Sequence, residues 1–164
     1  MRSLFLSIVF CCITGCGLAQ EIPEAPLPAK FSGLTEALVL NHFPKVVHPV
    51  AGEGKESFAW YWKHNTAVLA PERCQVLEAG AYIFIGHQWT LRTSFTPKEF
   101  SRLFACPDGK LSPGQPYTFM ENWRTDHQLR AGWAAWYVLA TNAQGDTLFG
   151  WQPIYTSNQP LNSK

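Results

Sequence analysis

The stretch from Ala131 to Trp151, AGWAAWYVLATNAQGDTLFGW, constrains this chain more than any other. In an extended backbone successive side chains point to opposite faces. Trp133, Ala135, Tyr137 and Leu139 then share one face, and Ala134, Trp136, Val138 and Ala140 the other. Both faces are apolar, so the strand needs cover on two sides. Asn142 to Asp146 supplies a polar turn, with Gly145 free for the positive φ of a short hairpin loop, and Thr147 to Trp151 returns. This predicts a hairpin inside a sheet pair and specifies no chemistry.

The rest of the chain reads mostly as strand around it. Ala37 to Phe43 predicts a first strand, broken by Pro44 and Pro49. FAWYWK at Phe58 to Lys63 alternates with Phe58, Trp60 and Trp62 on one face. Thr66 to Ala70, Cys74 to Leu77, Tyr82 to Ile85, Gln88 to Ser94 and Tyr117 to Trp123 are further candidates, and Thr125 to Arg130 reads as a polar connection. One helix interrupts them: Thr96-Pro97-Lys98-Glu99 is a capping box with proline at the first helical position, followed by Phe100, Leu103 and Phe104 on one face. The expected fold class is all-β, an antiparallel β-sandwich of immunoglobulin-like type or an open barrel, with one short helix.

The chain ends bound where this body works. Met1, Arg2 and Ser3 precede an apolar run from Leu4 to Ile13, too short for a membrane span of about 20 residues and suited to an export signal. Ile13-Thr14-Gly15-Cys16 resembles the lipobox of bacterial lipoproteins, which implies a lipidated Cys16 as the mature start and attachment to a membrane. Gly17-Leu18-Ala19 suits ordinary signal cleavage instead, leaving Gln20 first. Residues 1–19 are thus read as signal, 20–34 as a Pro-rich tether reaching about 30 Å, 35–156 as the sandwich domain and 157–164 as a frayed tail. The expected location is extracytoplasmic: outer membrane or periplasm as a lipoprotein, or secreted.

Three short patterns resemble immunoglobulin-type sandwiches. Leu77-Glu78-Ala79-Gly80-Ala81-Tyr82 is similar to a tyrosine corner. Leu111-Ser112-Pro113-Gly114 followed by Tyr117 is similar to the corner of fibronectin type III domains, and Ala140 to Gly145 to the end of their F strand. The resemblance implies a fold class and carries no function.

Charge and cysteines exclude some functions. Of thirteen Lys and Arg, loss of Arg2 leaves twelve against twelve Asp and Glu. A near-neutral chain has no basic field for phosphates, so nucleic acid is not an expected partner. Cys11 and Cys12 leave with the signal, so Cys74 and Cys106 are the pair expected to form a disulfide, closing about thirty residues and stabilising the fold by roughly 3 to 4 kcal/mol. His42, His48, His64, His87 and His127 form no ligand-spaced motif, and neither a metal nor a cofactor is expected.

Seven Trp is generous for a core of this size. The sequence therefore predicts a non-catalytic envelope accessory protein that binds a protein partner through an aromatic surface patch, with Trp62, Trp123, Arg124 and Trp136 as the binding residues. A secreted carbohydrate-binding module stacking sugar rings on the same residues is the alternative. A third reading is a small glycoside hydrolase-like enzyme using Glu121 and Asp126 as an acid/base pair.

Overall fold

A computed structural model describes residues 20–52 and 57–161, with the backbone alone of Trp123. The expected signal and Cys16 lie outside the described residues, as does the side chain of Trp123.

The predicted hairpin is formed by β10 (Gly132–Asn142) and β11 (Thr147–Thr156), paired antiparallel from Gly132 opposite Thr156 to Thr141 opposite Thr147. Asn142 builds the turn: its side-chain oxygen accepts from the backbone N–H groups of Gln144 and Asp146, and Gly145 takes φ 90°. Both faces of β10 are covered. Tyr137 and Leu139 pack outward with Phe31, Tyr82 and Phe149, while Trp136, Val138 and Ala140 enter the main core with Leu38, Leu40 and Val68.

Two sheets enclose that core. In the first, β1 (Thr35–Glu36), β11, β10, β6 (Cys74–Ile85) and β7 (Gln88–Phe95) lie in that order, with β3 (Val46–Val47) added to β11 and β8 (Lys110–Leu111) to β6. In the second, β5 (Trp60–Leu69) pairs with β2 (Val39–Phe43) and β4 (Val50–Ala51), and with β9 (Tyr117–Asp126). The segment from β1 to β4 alternates between the sheets and stitches them together; Ala37 and Leu38 both donate backbone N–H groups to the Phe149 carbonyl. On the other side β7 and β9 are edges that do not pair with each other. The molecule is an all-β sandwich left open along one seam.

The helix α1 (Pro97–Leu103) closes one end of it. Thr96 accepts from the Glu99 N–H and Glu99 reaches back to Thr96, completing the capping box. Phe100 and Phe104 stack at 4.3 Å and are fully buried, worth roughly 2 to 3 kcal/mol each in removed apolar surface.

Two pairs of expected strands are in fact continuous. Phe58–Lys63 and Thr66–Ala70 merge into β5, and Cys74–Leu77 and Tyr82–Ile85 merge into β6. The tyrosine-corner resemblance at Leu77 to Tyr82 is overturned, because the segment is strand interior. Gly80 is there for close approach: a Cβ would lie 2.2 Å from the Thr93 carbonyl and 2.8 Å from the Tyr137 hydroxyl. That hydroxyl donates to Glu78, which also holds Lys30 at 2.6 Å over the Tyr137 ring.

The tether and the tail are both tied to the body. Phe31, 3% exposed, is enclosed by the rings of Tyr82, Tyr137, Phe149 and Trp151. Ser157 is buried; its N–H donates to Val47 and its carbonyl accepts from the Trp62 indole.

Cys74 and Cys106, the pair expected to bridge, do not lie at disulfide distance in this structure. Both are free thiols in the main core, and each points at a nearby carbonyl, Cys74 at Glu72 and Cys106 at Lys110.

Candidate functional site: a cleft in the open seam

The seam between β7 and β9 opens into a cavity of about 200 Å³. Its floor is apolar, made by Ala81 and Ile83 of β6, Ala134 and Trp136 of β10, and Ile154 of β11. Phe95 and Phe119 flank the opening, with Phe95 stacked on Trp136 and Phe119 edge-on to it. The polar lining comes from six side chains: His64, Arg92, Thr93, Asn122, Arg124 and Thr156.

Two bulges put those groups there. Opposite β5, Asn122 faces His64 and Phe119 faces Thr66, so Met120 and Glu121 together oppose Asn65. Glu121 absorbs the extra residue with φ 50°, its N–H held by the Asn65 side chain at 2.9 Å. Phe119 and Asn122 would point to opposite faces of a regular strand; the bulge turns both into the cleft. On β7 the register passes from Leu91 opposite Tyr82 to Thr93 opposite Ala81, leaving Arg92 as the extra residue. Adjacent Arg92 and Thr93 therefore both line the cavity.

Across from the floor lies a buried polar chain. Asn122 donates its amide to His64 Nε2 at 3.2 Å and to Thr66 Oγ1 at 3.2 Å. Thr66 meets His42 Nδ1 at 3.1 Å, and His42 Nε2 meets the Gln152 carbonyl at 3.0 Å. A carbonyl only accepts, so His42 carries its proton on Nε2 and Thr66 donates to Nδ1. Asn122 occupies His64 Nε2 as a donor, so His64 carries its proton on Nδ1. That Nδ1 is buried and has no partner, the one such side-chain atom among the described residues. Burial lowers the His42 pKa to about 4 against the carbonyl of Gln152, and burial, then His42, lowers that of His64 to about 3. Both rings are neutral at pH 7.

The rim is cationic. Arg124 donates to Thr156 at 2.6 Å, lies 4.5 Å over the Trp62 ring and is 3.6 Å from Asp126. Burial pulls its pKa below the usual guanidinium range; Asp126 opposes this, and Arg92 and Arg130 add to it. Arg92 is exposed.

Three of the expected binding residues meet around this cleft without forming a surface patch. Trp62 is 0% exposed and stands behind the Arg124 guanidinium; Trp136 is 5% exposed and forms the floor; Arg124 lines the cleft. Rings on the inner face of a two-sheet body are covered by the opposite sheet, which removes Trp62 and Trp136 from any outer patch. On the outer face of the first sheet, Phe84, Trp89 and Trp151 pack edge to face, Trp89 against Trp151 at 86°, and present no flat row for sugar rings. Asp126 is ion-paired with Arg124 and Arg130. The Gln128 N–H above all, with both guanidiniums helping against partial burial, holds its carboxyl below the usual range, unlike a general acid at neutral pH.

His64 and Arg92 were not singled out by the sequence. Reading β5 as one strand would have flagged His64 and Thr66 as polar residues on the buried face of Trp62 and Val68. The bulge that turns Arg92 inward leaves no local mark. No three His, Cys, Asp or Glu side chains gather to hold a metal ion among the described residues, and no described helix is long and apolar enough to cross a membrane. Compared with known proteins, the chain matches no family model, no curated protein and no solved structure.

Proposed function

We propose that this chain is an exported, lipid-anchored, non-catalytic binding protein of the cell envelope, and that it works through the cleft between β7 and β9, not through an outer aromatic patch. The ligand is a small molecule with an apolar body. The observation that carries this reading is the apolar cavity of about 200 Å³ between the unpaired edges of β7 and β9, walled by Trp136, Phe95 and Phe119 and rimmed by Arg92 and Arg124. Export and anchoring are supported by the Leu4 to Ile13 run and the Cys16 lipobox.

The size fits a single ring, since cavities of about 150 Å³ hold benzene. The test is ligand-observed NMR with 4-hydroxybenzyl alcohol, on the wild type and on Ala134→Leu, which fills the floor. Binding to the wild type and its loss in the filled variant is the expected result. Equal binding to both would place the ligand elsewhere and end the cleft reading. Intact-mass analysis of the natively processed chain tests anchoring separately, with acylated Cys16 expected as the first residue.

A further inference from the structure

Resting on the cleft reading, we propose that the ligand is a small aryl carboxylate: its ring lies against Trp136, Phe95 and Phe119, and its carboxylate sits at the rim with Arg92 and Arg124.

The rim charges support this. The cavity continues into a second hollow of about 380 Å³, sharing Ile83, Arg92, Arg124 and Ala134 with it. The charged side chains lining the two are Arg92, Arg124, Arg130 and Asp126. Three guanidiniums thus face one carboxylate. Asp126 already serves Arg124 at 3.6 Å and Arg130 at 3.9 Å. Among the described residues Arg92 makes no ion pair, although a bulge directs it to the mouth. An anion here relieves like-charge crowding and gains charge-assisted hydrogen bonds, while a neutral ligand does neither.

Depth gives the ligand its direction. His64 is 7% exposed and Arg92 lies at the surface, so the neutral donor is at the inner end and the cations at the outer end. Between them the lining carries no charge: apolar walls with Thr93, Asn122 and Thr156 among them. A charged group is easily desolvated only at the rim, where the guanidiniums compensate it, and the inner end suits an uncharged group. A ring-sized body with an uncharged end and a carboxylate at the other matches this order.

The experiment is calorimetric titration of 4-hydroxyphenylacetate and 4-hydroxybenzyl alcohol, which share the ring and phenolic oxygen and differ in the carboxylate. The acid is expected to bind at least about tenfold more tightly at low salt, and the advantage should shrink at high salt. Arg92→Met, at an exposed side chain, should keep the wild-type melting temperature and cut the acid-to-alcohol affinity ratio about tenfold. Equal affinity of acid and alcohol overturns the carboxylate and leaves the cleft reading standing. An unchanged ratio in Arg92→Met also overturns it. Failure of both ligands to bind overturns the cleft reading and this proposal together.

Discussion

His42 and His64 lie with their rings 5.3 Å apart at 76° and carry their protons on opposite nitrogens. His42 gives Nε2–H to the Gln152 carbonyl, whereas His64 accepts at Nε2 from Asn122. Long-range proton–nitrogen NMR at pH 7 is expected to show one Nε2–H and one Nδ1–H histidine among the slowly exchanging rings. In Asn122→Asp a carboxylate faces His64 Nε2, so that nitrogen is protonated instead and the His64 pKa rises by a unit or more. An Nε2–H tautomer for His64 in the wild type would refute this arrangement of the network.

The same two rings set an acid limit on stability. Their folded pKa values, about 4 and about 3, lie below the ordinary 6.5. Above pH 6.5 neither the folded nor the unfolded chain binds these protons, and the contribution is constant. Below pH 6.5 the unfolded chain takes up protons that the folded one refuses, so stability falls as the pH drops toward 4 and 3. The loss should reach roughly 2 kcal/mol per histidine by pH 5. Urea midpoints at pH 7.5, 6 and 5 measure it; a flat profile would show that these rings are not buried neutral.

Gly80→Ala should be severely destabilising, by about 3 kcal/mol or more, because its methyl meets the Thr93 backbone carbonyl at 2.2 Å and not a side chain that can swing away. Gly145→Ala, at φ 90° with open space around it, should cost only about 1 kcal/mol in backbone strain. Urea unfolding of the two variants checks the order.

Cys74 and Cys106 are buried, and burial raises both thiol pKa values, that of Cys106 to about 11. Alkylation at pH 8 should therefore be slow in the native protein and should modify both residues once urea unfolds it without reductant. If neither reacts in urea until a reductant is added, the pair is a disulfide in the protein as made.

Phe31→Ala should cost about 3 kcal/mol and release residues 20–30 from the sheet. Limited proteolysis should then cut before Leu34 at a protease concentration that leaves the wild type intact.

What the sequence revealed was local. The hairpin at 131–151 and the helix after Thr96 are specified by alternation, a glycine turn and a capping box within a few residues of one another. Gly80 misled because a glycine inside an apolar run reads the same whether it makes a turn or admits Tyr137 from the next strand. Trp62 and Trp136 misled because a ring is equally apolar on either face of a sheet, and only the partner sheet decides which face is covered. Arg124, Trp62 and Trp136, which alternation and polar neighbours named together, do lie together, with both rings covered. Arg92 and His64 depend on register between strands far apart in the chain.

The bulge at Met120–Glu121 behaves as a phase correction along β9. It lets a strand with one residue too many keep Phe119, Asn122 and Arg124 on the same side. Removing Glu121 would remove the surplus and leave those three still in phase at a two-residue repeat. Glu121→Val would keep the surplus but deny it the positive φ it needs. The gentler lesion at this position is thus the deletion, an inversion of the usual order that follows from the strand counting to two.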